Sequence, residues 1–149
     1  MARVLLHGLD AVIGELERLE ELGTDEEAER ILNAMADAVE PVMKRNARKE
    51  IIGLRDSWTG TTQESVGRTK MKRLRNNGGR VMYLYPQGER VRGKKKKRKT
   101  RNAEIGFYNE YGVPSRKMAA RRWVSKTSEE AEGLAEEAVV REIERLIKD

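Results

Sequence analysis

The sequence predicts an α+β fold, with helices at both ends of the chain and a small antiparallel sheet between them. Three observations carry this reading. Apolar residues recur at three- and four-residue spacing through residues 8–52 and again near the C-terminus. Between Ser57 and Phe107 that period gives way to β-branched and aromatic residues, punctuated by Asn, Gly and Pro. All seven aromatic residues lie between Trp58 and Trp123, which puts the compact centre there and helical flanks on either side.

The elements follow in order. Leu9, Val12, Ile13, Leu16, Leu19 and Leu22 form one face of a first helix, over residues 8–22. Gly23 supplies its stop, and Thr24 with Glu27 opens a capping box for the next helix. That second helix is expected over about residues 25–52, with Ala28, Ile31, Leu32, Met35, Val39, Val42, Met43 and Ala47 on its apolar stripe. Pro41 removes one backbone donor and is expected to bend or split it. Thr59 to Thr69 suits a strand. Residues 75–80 (RNNGGR) form a turn, and Val81–Tyr85, closed by Pro86, a second strand. Residues 102–107 read as a third strand, Tyr111–Pro114 as a turn, and 118–124 as irregular. Thr127 and Glu130 form a capping box for a final helix, whose stripe is Leu134, Ala138, Ile143, Leu146 and Ile147.

A length of 149 residues suits a single domain, 1–149. Hydrophobic and charged residues each make up 38%, so the core must be economical. No cysteine is present, which removes thiolate metal sites, disulfides and a cysteine nucleophile. No apolar run approaches the roughly 20 residues of a membrane span, and the start of the chain does not read as a signal peptide. The net charge of +6 is concentrated: residues 90–101 hold nine basic residues and no acid. Outside them the chain has 22 basic and 25 acidic residues, a mildly acidic body with one cationic segment.

Enzymatic chemistry finds no support. His7 is the only histidine and has no evident acid–base partner, and no phosphate loop, zinc spacing or nucleophile elbow appears. Neither a catalytic residue nor a cofactor is expected. The acidic pairs Glu20/Glu21 and Glu26/Glu27 read as solvated helix faces. Trp58 and Trp123 read as cover for the core.

Two stretches resemble the neck, or tail-completion, family of long-tailed bacteriophages. The first is Gly53-Leu54-Arg55-Asp56-Ser57, after the long helix, where the family carries a Gly-x-Leu-x-x-Ser element; here Gly53 and Leu54 are adjacent. The second is Ile105 to Gly112, ending in Glu110-Tyr111-Gly112, followed by Met118 to Trp123. The family's proline before the aromatic is replaced by Arg122. The resemblance covers roughly positions 30–149. It implies a head–tail joining protein of the virion, assembled in the host cytoplasm as a homo-oligomeric ring of roughly six or twelve copies. Its partners would be itself, the head connector, tail proteins and passing DNA. It implies structural roles for Gly53, Leu54, Asp56, Ser57, Glu110, Tyr111, Gly112 and Trp123.

The basic segment is expected to be a flexible hairpin connection between strands, because four consecutive lysines repel one another. Its candidate contact residues are Arg90, Arg92, Lys94, Lys95, Lys96, Lys97, Arg98, Lys99 and Arg101. Three readings stand for it: a loop facing DNA in a ring lumen, a docking arm for an acidic protein face, and a solvated tip. Outside the family resemblance, a small protein gripping phosphates without reading sequence is the alternative function.

Overall fold

The computed structural model describes residues 24–50, 61–92 and 95–148. The first expected helix, the Gly53–Ser57 element and Trp58 lie outside the described residues.

Helix α1 spans Asp25–Glu50. Its start is the expected capping box: the Thr24 amide donates to Glu27 Oε2 at 2.7 Å, and the Glu27 amide to Thr24 Oγ1 at 3.2 Å. Asp25, Glu26 and Glu27 add negative charge at the positive end of the helix dipole. The helix runs through Pro41 as one element and is not split. The last helix, α4 (Trp123–Lys148), packs antiparallel against it. Arg30 pairs with Glu142 at 3.1 Å near one end, and Arg45 with Glu130 near the other.

Two apolar clusters fill this seam. Val39 and Val42 meet Ala131 and Ala135, with Met35 alongside. Met43 and Ala47 meet Trp123 and Val66, with Leu84 and Val124 alongside. The small side chains of Ala131 and Ala135, fully buried, let the helices approach closely.

Between the helices lie α2 (Thr61–Ser65), six short strands and α3 (Asn102–Tyr111). The strands are β1 (Val66–Arg68), β2 (Lys72–Arg73), β3 (Arg80–Val81), β4 (Leu84–Pro86), β5 (Glu89–Arg92) and β6 (Arg98–Arg101). They pair antiparallel as β1–β4, β2–β3 and β5–β6. The first two ladders are one hairpin interrupted once. Arg68 faces Leu84 and Lys72 faces Val81, so the first arm has one residue more than the second between these pairs. That extra residue is a β-bulge. It divides the strand expected over 81–85, while Thr69 and Tyr83 still exchange a backbone bond at 2.9 Å. The turn over 75–80 is as expected, with Gly78 at φ 72. Arg68 bridges the hairpin to Asp37 (2.6 Å) and Glu40 (2.9 Å) of α1, and Asp25 takes Arg73 (2.8 Å) and Arg80 (2.6 Å).

Several expectations are corrected. Residues 102–107 are helical, not a strand. Their buried positions Asn102, Ile105, Gly106, Asn109 and Glu110 follow helical spacing, a pattern hidden by the aromatic residues between them. Residues 61–65, expected in a strand, form α2, closed by Ser65 Oγ donating to the Thr62 carbonyl at 2.9 Å. Helix α4 begins at Trp123, and Thr127 lies inside it, donating its hydroxyl to the Trp123 carbonyl at 2.8 Å. The buried face of α4 is Trp123, Thr127, Ala131, Ala135, Val139 and Glu142, so the expected stripe is rotated away from the core. Leu134 is 46% and Ile147 78% exposed.

Candidate interaction surface

The basic segment does not connect two strands; it is a hairpin of its own. Glu89 faces Arg101, Arg90 faces Thr100, Val91 faces Lys99 and Arg92 faces Arg98. Directly opposed residues share a face, and faces alternate along each strand. Glu89, Arg101, Val91 and Lys99 are exposed on one face, whereas Arg90 and Thr100 are half-buried on the other.

The nine candidate cations therefore divide. Arg90 anchors the hairpin. It donates from Nε to Asn102 Oδ1 at 2.6 Å and from Nη2 to Thr62 Oγ1 at 3.2 Å. Asn102 completes the tie by donating to the Gln87 carbonyl at 2.7 Å. Lys99 lies 3.9 Å from Glu89. Lys95, Lys96 and Lys97 at the tip, with Arg98, Lys99 and Arg101, are exposed. Arg92 lies on β5, and Lys94 is outside the described residues.

Strand β6 runs directly into α3, whose outer side carries three rings. Phe107 is 47%, Tyr108 36% and Tyr111 60% exposed. The Phe107 and Tyr111 centroids are 4.7 Å apart, and Phe107 meets Tyr108 edge-on at 6.4 Å. Tyr108 donates to Glu104 at 2.7 Å, and this bond holds its phenol above the ordinary 10.0. Tyr111, expected to pack in a structural role, is the most exposed of the three. The cluster was hidden from sequence reasoning by the strand assignment; read on a helix, positions 107, 108 and 111 share one side.

The inner side of α3 builds the support. Gly106 admits the Trp123 ring and Pro86: a β-carbon there would lie 3.1 Å from Trp123 Cζ2 and 3.2 Å from Pro86 Cγ. Trp123 Nε1 donates to the Gly106 carbonyl at 2.9 Å. Glu110, 7% exposed, caps α4 from outside the helix, accepting from the Val124 amide at 2.7 Å, the Ser125 amide at 3.3 Å and the Ser125 hydroxyl. Gly112 has φ 74, and a β-carbon on it would stand 2.5 Å from the Met118 carbonyl oxygen. Arg122 takes φ 52, a conformation closed to proline, whose φ is locked near −65°. The absence of proline at this position thus has a geometric reason.

Among the described residues, no cluster of His, Cys, Asp or Glu could hold a metal ion. No helix among them is long and apolar enough to cross a membrane. A family model described as "Bacteriophage HK97-gp10, putative tail-component" matches residues 10–113 of the chain. The match includes the basic hairpin, all of α3 and Gly112, and ends before Trp123 and α4, whereas the motif resemblance runs from about 30 to 149. No curated protein and no solved structure matches.

Proposed function

Since this chain belongs to the HK97-gp10-like family of bacteriophage tail components, we propose that it joins the head connector to the tail as a homo-oligomeric ring around the DNA channel. Family membership carries this reading. The ring is its finer part, and the chain's surfaces support it physically. A ring needs two different, mutually complementary surfaces on each subunit. One candidate is the base of the hairpin, with Arg98, Lys99 and Arg101 exposed on β6, together with the exposed rings of α3. The other is the acidic stretch of α4, where Glu129, Glu130, Glu132, Glu136 and Glu137 occur without a basic residue among them. The protein would reside in the virion after assembly in the host cytoplasm, and its role would be structural, not catalytic.

In such a ring the lysines of the hairpin tip would meet passing DNA through weak, mobile phosphate contacts, because a rigid clamp would hinder passage. Each phosphate contact would contribute salt-sensitive affinity, with a slope of about −0.9 per neutralised phosphate. The test is quantitative mass spectrometry of purified virions, counting this chain against the major capsid protein. A closed ring requires a low symmetric number, roughly six or twelve; absence from the particle would overturn the proposal.

The exposed cations of the hairpin support a second reading, a protein that grips nucleic acid without reading sequence. Replacing Lys94–Lys97 with Ser separates the two. A nucleic-acid-binding function would be abolished, whereas ring assembly would persist with a partial loss of infectivity.

A further inference from the structure

Glu129, Gly133, Glu136 and Val140 of α4 recur at helical spacing, on the side turned away from the buried Ala131 and Ala135. Nothing among the described residues explains Gly133. A β-carbon on it would meet no atom within 4 Å, and glycine weakens a helix interior relative to alanine. Glu129 and Gly133 are exposed, and so is Val140. The stripe is therefore a shallow gap between two acids, open to a large side chain from outside.

The outer side of α3 is its counterpart. Phe107 packs against both tyrosines, so the three rings form one apolar knob and not separate platforms for stacked bases. Residues 114–122 fold back along the end of α3, where the Arg121 amide donates to the Asn109 carbonyl at 2.7 Å. Arg116 and Arg98 lie close enough for their charge to act on the Tyr108 phenol, against the larger effect of Glu104. From Arg98 to Arg122 the only acids are Glu104, held by Tyr108, and Glu110, held in the cap of α4. Arg98, Arg101, Arg116, Lys117, Arg121 and Arg122 are exposed and make no ion pair among the described residues.

We propose that this knob docks on the outer stripe of α4 in a second copy of the chain, with Phe107 and Tyr111 over Gly133 and the neighbouring arginines facing Glu129 and Glu136. The contact deepens the ring reading by naming the two surfaces that meet, and it rests on that reading only for closure into a ring. Charge selects the occupant. Glu130 and Glu137 of α4 are engaged within the chain by Arg45 and Arg141, whereas Glu129 and Glu136 have no ion pair among the described residues. Unpaired cations around an apolar knob thus match unpaired acids around an apolar gap. The two surfaces differ and lie on one chain, so the contact runs head to tail.

Sedimentation of the full-length protein tests the contact. The chain should associate reversibly, more strongly at low salt than at high. Tyr111→Ala and Gly133→Leu should each weaken that association at least roughly tenfold, as loss of an interface anchor does. Gly133→Leu should do so with an unchanged or raised Tm, because leucine favours a helix over glycine. Mixed together, the two variants should form a one-to-one pair and nothing larger, since each retains the surface the other has lost. A monomeric wild-type chain, a mixture that stays monomeric, or wild-type association in either variant alone would overturn the proposal. So would a loss of single-stranded DNA retention in Tyr111→Ala with association intact, which would give the knob to nucleic acid. The ring reading fails separately. Head-to-tail pairing by a chain absent from virions would sink the ring alone, and a count of roughly six or twelve copies without such pairing would sink this contact alone.

Discussion

At Gly112 the chain passes so close to the Met118 carbonyl that a β-carbon would overlap it, and the backbone stands at φ 74. Gly112→Ala thus combines a clash with an unfavourable dihedral. It should destabilise by about 1–3 kcal/mol, read from urea unfolding. Glu110 acts on the same corner by closing the first turn of α4. Glu110→Ala should cost on the order of 1–2 kcal/mol, as loss of a helix cap does. Tyr111 stands between these residues in sequence but points outward, so Tyr111→Ala should change stability by no more than about 0.5 kcal/mol. A lowered particle association in that variant, with unchanged unfolding, would mark the ring as an interface anchor. The three residues of one short motif thus have separate roles: Glu110 caps, Gly112 permits the turn, and Tyr111 faces outward.

At the scale of elements, the bulged hairpin is held to α1 by ion pairs. The hydrogen bond from Lys44, joined by Arg68, holds the Glu40 carboxyl below its ordinary 4.5. A carboxyl depressed in the folded state stabilises fully above its unfolded value and loses that stabilisation as pH falls through the folded value. Asp25, lowered from 3.8 by its hydrogen bonds to Arg73 and Arg80, has the same sign. Thermal stability should therefore be flat from neutral pH down to about 4.5 and fall below it. In Glu40→Gln that acid-side fall should be shallower. The basic hairpin makes a different prediction. Its tip, Lys95–Lys97, carries like charges, while Arg90, Val91, Lys99 and Thr100 lie in paired strands. Amide exchange should be fast at the tip and slower in the strands. Uniformly fast exchange over 90–101 would mean that the ladder does not persist in solution.

The whole molecule separates charge in space. An antiparallel helix pair with an acidic stretch on α4 carries a cationic hairpin, and the hairpin leads into a helix with three exposed rings. What the sequence by itself determined follows from local chemistry. The Thr24–Glu27 capping box, the length of α1, the turn over 75–80 and the α+β class all depend on residues only a few positions apart. The gathering of cations in one segment is likewise a property of composition along the chain. Tertiary structure alone decided the rest. Residues 102–107 carry aromatic and β-branched side chains that suit a strand, yet they open a helix, Asn102–Tyr111, whose inner side meets Trp123 and Pro86. Residues 134–147 carry a plausible apolar stripe, yet alanines at 131 and 135 pack the seam because close helix approach rewards small side chains more than large ones. Arg90 looks like its neighbours in a basic run, yet it is fixed by Thr62 and Asn102, which the fold brings to it from elsewhere in the sequence. In each case local preference was weak or divided, and burial against a sequence-distant partner decided between the alternatives.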